Sequence, residues 1–277
     1  MTRSAMGGVF RLSDEMWERF RRLIPPRVNT HKFGGGRPPA SDRDCLDAIF
    51  FRLRTGCQWK ALSATGICPA STAHDRFQRW VREGVFLRFW QAGLLEYDGL
   101  KGLDWSWLSA DGAMGKAPLG GGKTGPNPTD RGKGGVKRSA LAEAAGIPLG
   151  VVIDGANRHD MKLFEATLLS VVIECPPPRR GQTYGMCLDK AYDAASVREL
   201  LEDLGMDAHI RSRGEEADDL KQHPEAKARR WVVEWTHSWL NRYRAILTRW
   251  CKKPENYLGC IQFACGVISF QQAWLSG

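Results

Sequence analysis

The chain has 277 residues, 43% of them hydrophobic, enough for one large domain or for a catalytic domain with a smaller companion. No stretch approaches the roughly 18 uncharged apolar residues of a membrane span, and the opening MTRSAMGGVFRL lacks the continuous apolar core of a signal peptide, so a cytoplasmic, nucleoid-associated protein with no membrane partner is expected. The 40 Lys and Arg against 31 Asp and Glu leave a formal charge of +9, which favours a polyanionic partner, nucleic acid above all.

Residues 13–24, SDEMWERFRRLI, begin with a cap at Ser13, place Met16, Phe20, Leu23 and Ile24 on one helical face and stop at Pro25-Pro26. A basic, glycine-rich linker, HKFGGGRPPA, follows. Ser41 with Asp44 three residues on then forms a capping box for DCLDAIFFRLRTG, which Gly56 ends. After a turn with Trp59 and Leu62, PASTAHDRFQRWVREG is expected to start at Ser71, to turn Phe77, Trp80 and Val81 inward, and to turn Arg76, Arg79 and Arg82 outward. A helix, a bend and a basic helix resemble a helix-turn-helix reader, although many trihelical cores share the pattern.

From residue 105 the period changes. WSWLSADGAM, VKRSALAEAAG and PLGVVIDGAN read as three consecutive strands, followed by a helix near 160–173, the strand YGMCLDKAY, the helix ASVRELLEDLG, the strand DAHIR and a long helix from about 226 to 250. The fold class is therefore a mixed α/β domain over 96–277 behind an all-helical, DNA-binding domain over 1–95. The eight cysteines form no C-x-x-C pair and no regular framework, and read as reduced, mostly buried thiols.

Residues 117–124, APLGGGKT, come within one residue of the phosphate-loop pattern G-x-x-x-x-G-K-[ST]. Such a loop works only if a helix starts at once, presenting its first amides to the phosphates, and Pro126 and Pro128 forbid that here. No nucleotide cofactor is expected. Lys123, Arg131, Lys133 and Lys137 read instead as parts of a mobile basic loop between two strands, suited to DNA phosphates together with Arg76 and Arg79.

Three carboxylates stand out by position: Asp111 at the end of the first strand of the α/β half, Asp189 at the end of YGMCLD, and Glu234 within RRWVVEWTHSWLNRYR. If the first and fourth strands are neighbours, two strand-end aspartates can meet a helix-borne glutamate. That oxygen cluster suits Mg²⁺, and a pair of ions about 3.5–4 Å apart supports in-line displacement at phosphorus. Two further readings compete: Glu234 pairs with Arg230 one turn earlier, or Glu234 and His237 form an E-x-x-H metal motif, which requires a second copy that the sequence lacks. His159 and Asp160 read either as ligands or as a strand-to-helix turn.

The block KTGPNPTDRGKGGVKRSALAEAAGIPLGVVIDGANRHD, the segment LDKAYD and RRWVVEWTHSWLNRYRAILTRW resemble bacterial insertion-sequence transposases of the DDE superfamily, insertion sequence family five. The resemblance covers nearly the whole chain. It implies a ribonuclease-H-like catalytic domain whose triad is Asp111, Asp189 and Glu234, holding two Mg²⁺ ions that Mn²⁺ can replace. Arg230 matches the R-x-x-x-E signature of the family. Double-stranded DNA, as terminal inverted repeats and target, and a homodimer or larger assembly on DNA follow from the same resemblance. The chain departs from the family at Lys227 and Asn241, the outer signature positions, and at EWTH, where Trp235 and His237 replace an expected Arg and an aromatic. The alternative these departures leave open is an end-binding protein that no longer cuts.

Overall fold

The structure, a computed structural model, describes residues 10–26, 39–178, 180–210 and 231–275; most of the glycine-rich linker, Lys227 and Arg230 lie outside them. Four helices come first. α1 (Asp14–Arg21) is capped by Ser13, whose Oγ accepts the Met16 N–H at 3.2 Å, and buries Met16 and Phe20. α2 (Asp42–Thr55) has Ser41 Oγ accepting from the Asp44 N–H and ends at Gly56, which takes the left-handed φ of 71°. A 3₁₀ turn (Trp59–Thr65) leads to α3 (Ala70–Arg82). Its cap position is Pro69 rather than Ser71, and the first helical N–H, that of Ala70, is taken by Ser63 Oγ at 3.2 Å.

α4 (Val85–Lys101) follows Gly84 directly, so a boundary at residue 95 falls inside a continuous helix. Its partner is the last helix, which closes the chain back onto the first third of the molecule. The two cross at glycines: a Cβ on Gly93 would lie 3.0 Å from the Gly266 carbonyl, and one on Gly266 would lie 2.6 Å from Phe89. Phe20 seals the junction, meeting Trp80 and Phe89 edge-on at 5.1 and 5.2 Å, and Phe86 and Phe263 at 5.9 Å.

The second half is a sheet with helices. Its strands are β1 (Trp107–Lys116), β2 (Gly125–Pro126), β3 (Gly134–Glu143), β4 (Pro148–Gly155), β5 (Tyr184–Leu188) and β6 (Met206–Ile210). Spatially they run β4-β3-β1-β5-β6, with the two-residue β2 on the end of β3. β3 is antiparallel to both β1 and β4, while β1, β5 and β6 are parallel. Three antiparallel strands, then two parallel additions on the side of the first strand, make the ribonuclease-H-like order. α5 (Met161–Leu169) and α6 (Ala195–Asp203) supply the crossovers. The β3–β4 turn is held by the buried carboxylate of Glu143, which accepts from the N–H groups of Ala145, Ile147 and Asp104.

α7 (Val232–Asn241), α8 (Arg244–Leu247) and α9 (Pro254–Trp274) complete the chain. The single helix expected through residue 250 is broken at Tyr243, whose extended backbone (ψ 98°) redirects the chain. Tyr243 is 2% exposed beneath the Arg54 guanidinium, and the redirected chain brings Thr248 beside Lys116 at the end of β1. Burial of the Tyr243 ring outweighs one turn of helix. α4 is tied to the sheet by Trp90, whose indole N–H donates to the Pro148 carbonyl at 3.0 Å, so helices and sheet share one continuous core.

Candidate active site

The pairing of β1 with β5 ends at Ser109 opposite Cys187, and Asp111 and Asp189 each lie two residues beyond that last pair. Asp111 thus sits mid-strand in β1, not at its end as expected, but where the parallel neighbour has already peeled away. Asp189 follows β5 immediately, and its side chain accepts the Ala191 N–H at 2.9 Å to cap a short 3₁₀ turn. Glu234 is exposed in the first turn of α7.

These carboxylates share one electrostatic environment. Burial pushes the Asp111 carboxyl up to about 6, the Gly112 N–H at 2.7 Å pulls it back down, and the like charges of Asp189, Asp160 and Glu234 push it up further. The charges of Asp189 after β5, Asp160 before α5 and Glu234 on α7 are therefore felt at Asp111. Tyr192, 1% exposed, is kept protonated by burial and by the charges of Asp160, Asp111 and Asp189. Among the described residues no three His, Cys, Asp or Glu side chains stand close enough to enclose an ion as they are. Mg²⁺ does not demand such a cage, because it commonly takes one or two carboxylates, several waters and the substrate's phosphate. The donor set on Asp111, Asp189 and Glu234, an excess of negative charge partly withdrawn from water, fits that mode of binding.

Asp160 packs against the strand so closely that a Cβ on Gly112 would fall 1.7 Å from its Oδ1. A side chain beside Asp111 would have to displace the Asp160 carboxylate. Asp160 Oδ2 accepts from Lys137 Nζ at 2.8 Å, and Lys137, expected in a phosphate-binding loop, is 5% exposed within β3. That expectation is corrected: Lys137 neutralises the fourth carboxylate of the site. Arg76 is corrected likewise. It is 5% exposed, paired with Asp42 and set over the Trp80 ring, because position 76 falls on the inner stripe with Ala73, Phe77 and Trp80. Arg79 is half-buried with Glu83 at 3.5 Å, while Lys123, Arg131 and Lys133 are exposed.

His237 is the residue whose role the sequence hid. Its Nε2 lies 3.2 Å from the Asp111 carbonyl, and burial, reinforced by Arg138, lowers its pKa to about 3, so the ring is neutral and donates through Nε2. Together with Thr236 Oγ1, which donates to the Gly146 carbonyl at 2.6 Å, it moors α7 on the sheet and sets where Glu234 emerges. Asn241 accepts from the buried Arg138 at 2.7 Å and so has a structural partner of its own. Two features drew attention to His237 in advance, its E-x-x-H spacing from Glu234 and an imidazole at an aromatic's position, and neither pointed to the Asp111 carbonyl. For Asp160 the signal was the NRHD turn.

The glycine-lysine loop has no helix after it; Gly125–Pro126 form a strand and a turn follows. It is also fastened, contrary to the expected mobility. Arg249, 1% exposed, donates to the carbonyls of Gly122 and Lys123 at 2.7 and 3.0 Å, and to those of Cys251 and Lys252.

A family model described as "Putative transposase of IS4/5 family" matches residues 12–90, and one described as "Transposase DDE domain" matches residues 186–271, spanning Asp189 and Glu234. A "Putative transposase for insertion sequence element IS402" of Burkholderia cepacia is 32% identical over 154 residues, 53% of this chain and 68% of that protein. The chain belongs to the DDE transposases of bacterial insertion sequences. An "Insertion element IS402 uncharacterized 16.2 kDa protein" from the same organism is 30% identical over 118 residues, 42% of this transposase and 80% of that protein. Among solved structures, the Mos1 mariner paired end complex with Mn is 12% identical with a TM-score of 0.29, covering 93% of this chain and 87% of that one. The Mos1 catalytic domain is 11% identical with a TM-score of 0.30, covering 69% and 94%. At such scores the superposition adds nothing to the strand order, on which the fold of this transposase rests.

Proposed function

We propose that this transposase binds the terminal inverted repeats of its own insertion sequence, hydrolyses the phosphodiester at each end and joins the freed 3′-hydroxyl to target DNA, with Asp111, Asp189 and Glu234 as its metal-binding triad. The observation that supports this reading is the register: Asp111 and Asp189 each stand two residues past the last β1–β5 pair, and Glu234 opens α7, which His237 ties to the Asp111 carbonyl. Two Mg²⁺ ions, or Mn²⁺ in their place, would polarise the attacking oxygen and neutralise the leaving one. The chain's own part is placement. β1 and β5 fix the two aspartates, His237 fixes the strand carbonyl at Asp111, and the mooring of α7 presents Glu234 from the third side. Arg230, which lies outside the described residues, belongs to the proposal through the family signature alone.

Arg79, Lys123, Arg131 and Lys133 hold DNA phosphates, the N-terminal helices read the repeats, and two copies bring the two ends together. A divalent-metal cleavage and joining assay on a plasmid carrying the gene's flanking repeats tests the reading. Wild type is expected to cut and join, and Asp111→Ala, Asp189→Ala and Glu234→Ala to bind the repeats without cutting. Binding without cleavage by the wild type in both Mg²⁺ and Mn²⁺ identifies a non-catalytic end-binding protein instead.

A further inference from the structure

Where the helical region meets the chain after α8 there is a cleft of about 700 Å³, formed by the C-terminal end of α2, the 3₁₀ turn, α3, the glycine-lysine loop and residues 250–253. Its mouth exposes two large apolar side chains, Leu119 at 51% and Trp250 at 47%. Trp59 also lines it, already packed against the Arg52 guanidinium at 4.4 Å and the His74 ring at 4.7 Å. Lys252 and Lys253 stand at the rim where α9 begins, none of the lining residues is acidic, and Glu255 of that first turn does not line the cleft.

An exposed indole and an exposed aliphatic group lining one cleft cost free energy in water unless something covers them. Cations without a lining carboxylate define the charge of what does. A flat aromatic body carrying a phosphate satisfies both demands. In a duplex the base faces are covered by their neighbours, so only an unpaired base could lie on Trp250; stacking on aromatics beside a cationic track is how single strands are held.

We propose that this cleft captures one unpaired nucleotide of the bound DNA, its base between Trp250 and Leu119 and its phosphate at Lys252 and Lys253. The inference rests on the reading of the protein as a DNA-strand enzyme. β1 links the two sites, since it carries Asp111 and ends three residues before Leu119. The cleft therefore selects DNA ends with an unpaired flank.

The test measures binding of full-length protein to a labelled blunt duplex of the flanking repeat and to the same duplex with a short thymidine tail. The wild type is expected to prefer the tailed duplex by about tenfold, and Trp250→Ala to abolish that preference while leaving blunt-duplex affinity unchanged. Lys252→Ala should lower the salt dependence for the tailed duplex by about one counterion and leave the blunt duplex unaffected. Equal affinity of wild type for the two duplexes, or a Trp250→Ala loss shared equally by both, overturns the nucleotide site while leaving the DNA reading standing. Conversion of a DNA-free dimer to monomer by Trp250→Ala overturns it in favour of a second copy. Failure to bind either duplex refutes the DNA reading itself, and this inference with it.

Discussion

Asp111 and His237 touch through one hydrogen bond yet respond to acid in opposite senses. The Asp111 carboxyl is raised from 3.8 to about 6, so between those values the folded state holds a proton the unfolded chain has lost, and stability falls as pH rises through that window. The His237 pKa is lowered from 6.5 to about 3, so its contribution is complete above pH 6.5 and is lost as pH falls toward 3. Asp111→Asn should leave only the second slope, His237→Phe only the first, each at most about 1.4 kcal/mol per pH unit; melting curves between pH 4 and 7 resolve them. At neutral pH and without metal, Asp111→Asn should also stabilise the fold by about 1–2 kcal/mol while abolishing cleavage, because it relieves like-charge crowding the reaction needs. His237→Phe keeps the aromatic volume but leaves the Asp111 carbonyl without its donor. Cleavage is expected to fall several-fold with repeat binding intact, measured as single-turnover rate against affinity.

Within single elements, the closure of the glycine-lysine loop depends on one side chain. Arg249→Met removes donors to four carbonyls, and a loss of about 2–4 kcal/mol is expected, with new protease cutting between residues 118 and 124. Gly112→Ala should be destabilising through contact with the Asp160 carboxylate that Lys137 holds in place, read as a lowered urea midpoint. Elements built on local rules were legible in advance: the Ser13 and Ser41 caps, the Gly56 stop, the strands and the crossover helices all follow from neighbours in sequence. Asp189 and Glu234 were singled out because strand-end and helix positions could be read, and the family signature pointed the same way. What escaped was set by distant partners. The break after α7 answers to Arg54 and the end of β1, the inward turn of Arg76 to Asp42, and the burial of Lys137 to Asp160. None of these is a property of the local window.

At the level of the whole molecule, the helical and sheet regions are joined by α4 and α9, which cross at glycines and form one core with both. A fragment of residues 96–277 keeps α9 but loses most of its partner, so it is expected to be aggregated or molten by near-ultraviolet circular dichroism, whereas one that begins before Val85 keeps the α4–α9 pair and loses less. Charge acts over the same range. Replacing Lys123, Arg131 and Lys133 together by Gln should weaken repeat and unrelated duplex alike and reduce the salt slope by about three counterions, because phosphate contacts carry no sequence information.

The glycine-matched seam between α4 and α9 also sets a timetable for synthesis. Phe86, Phe89 and Trp90 leave the ribosome more than 150 residues before the helix that covers them. Until α9 has emerged, that face has only the partial cover of Phe20, Phe77 and Trp80. A message stopped before Pro254 is therefore expected to yield an N-terminal piece whose aromatic face is half covered, read as aggregation or molten packing.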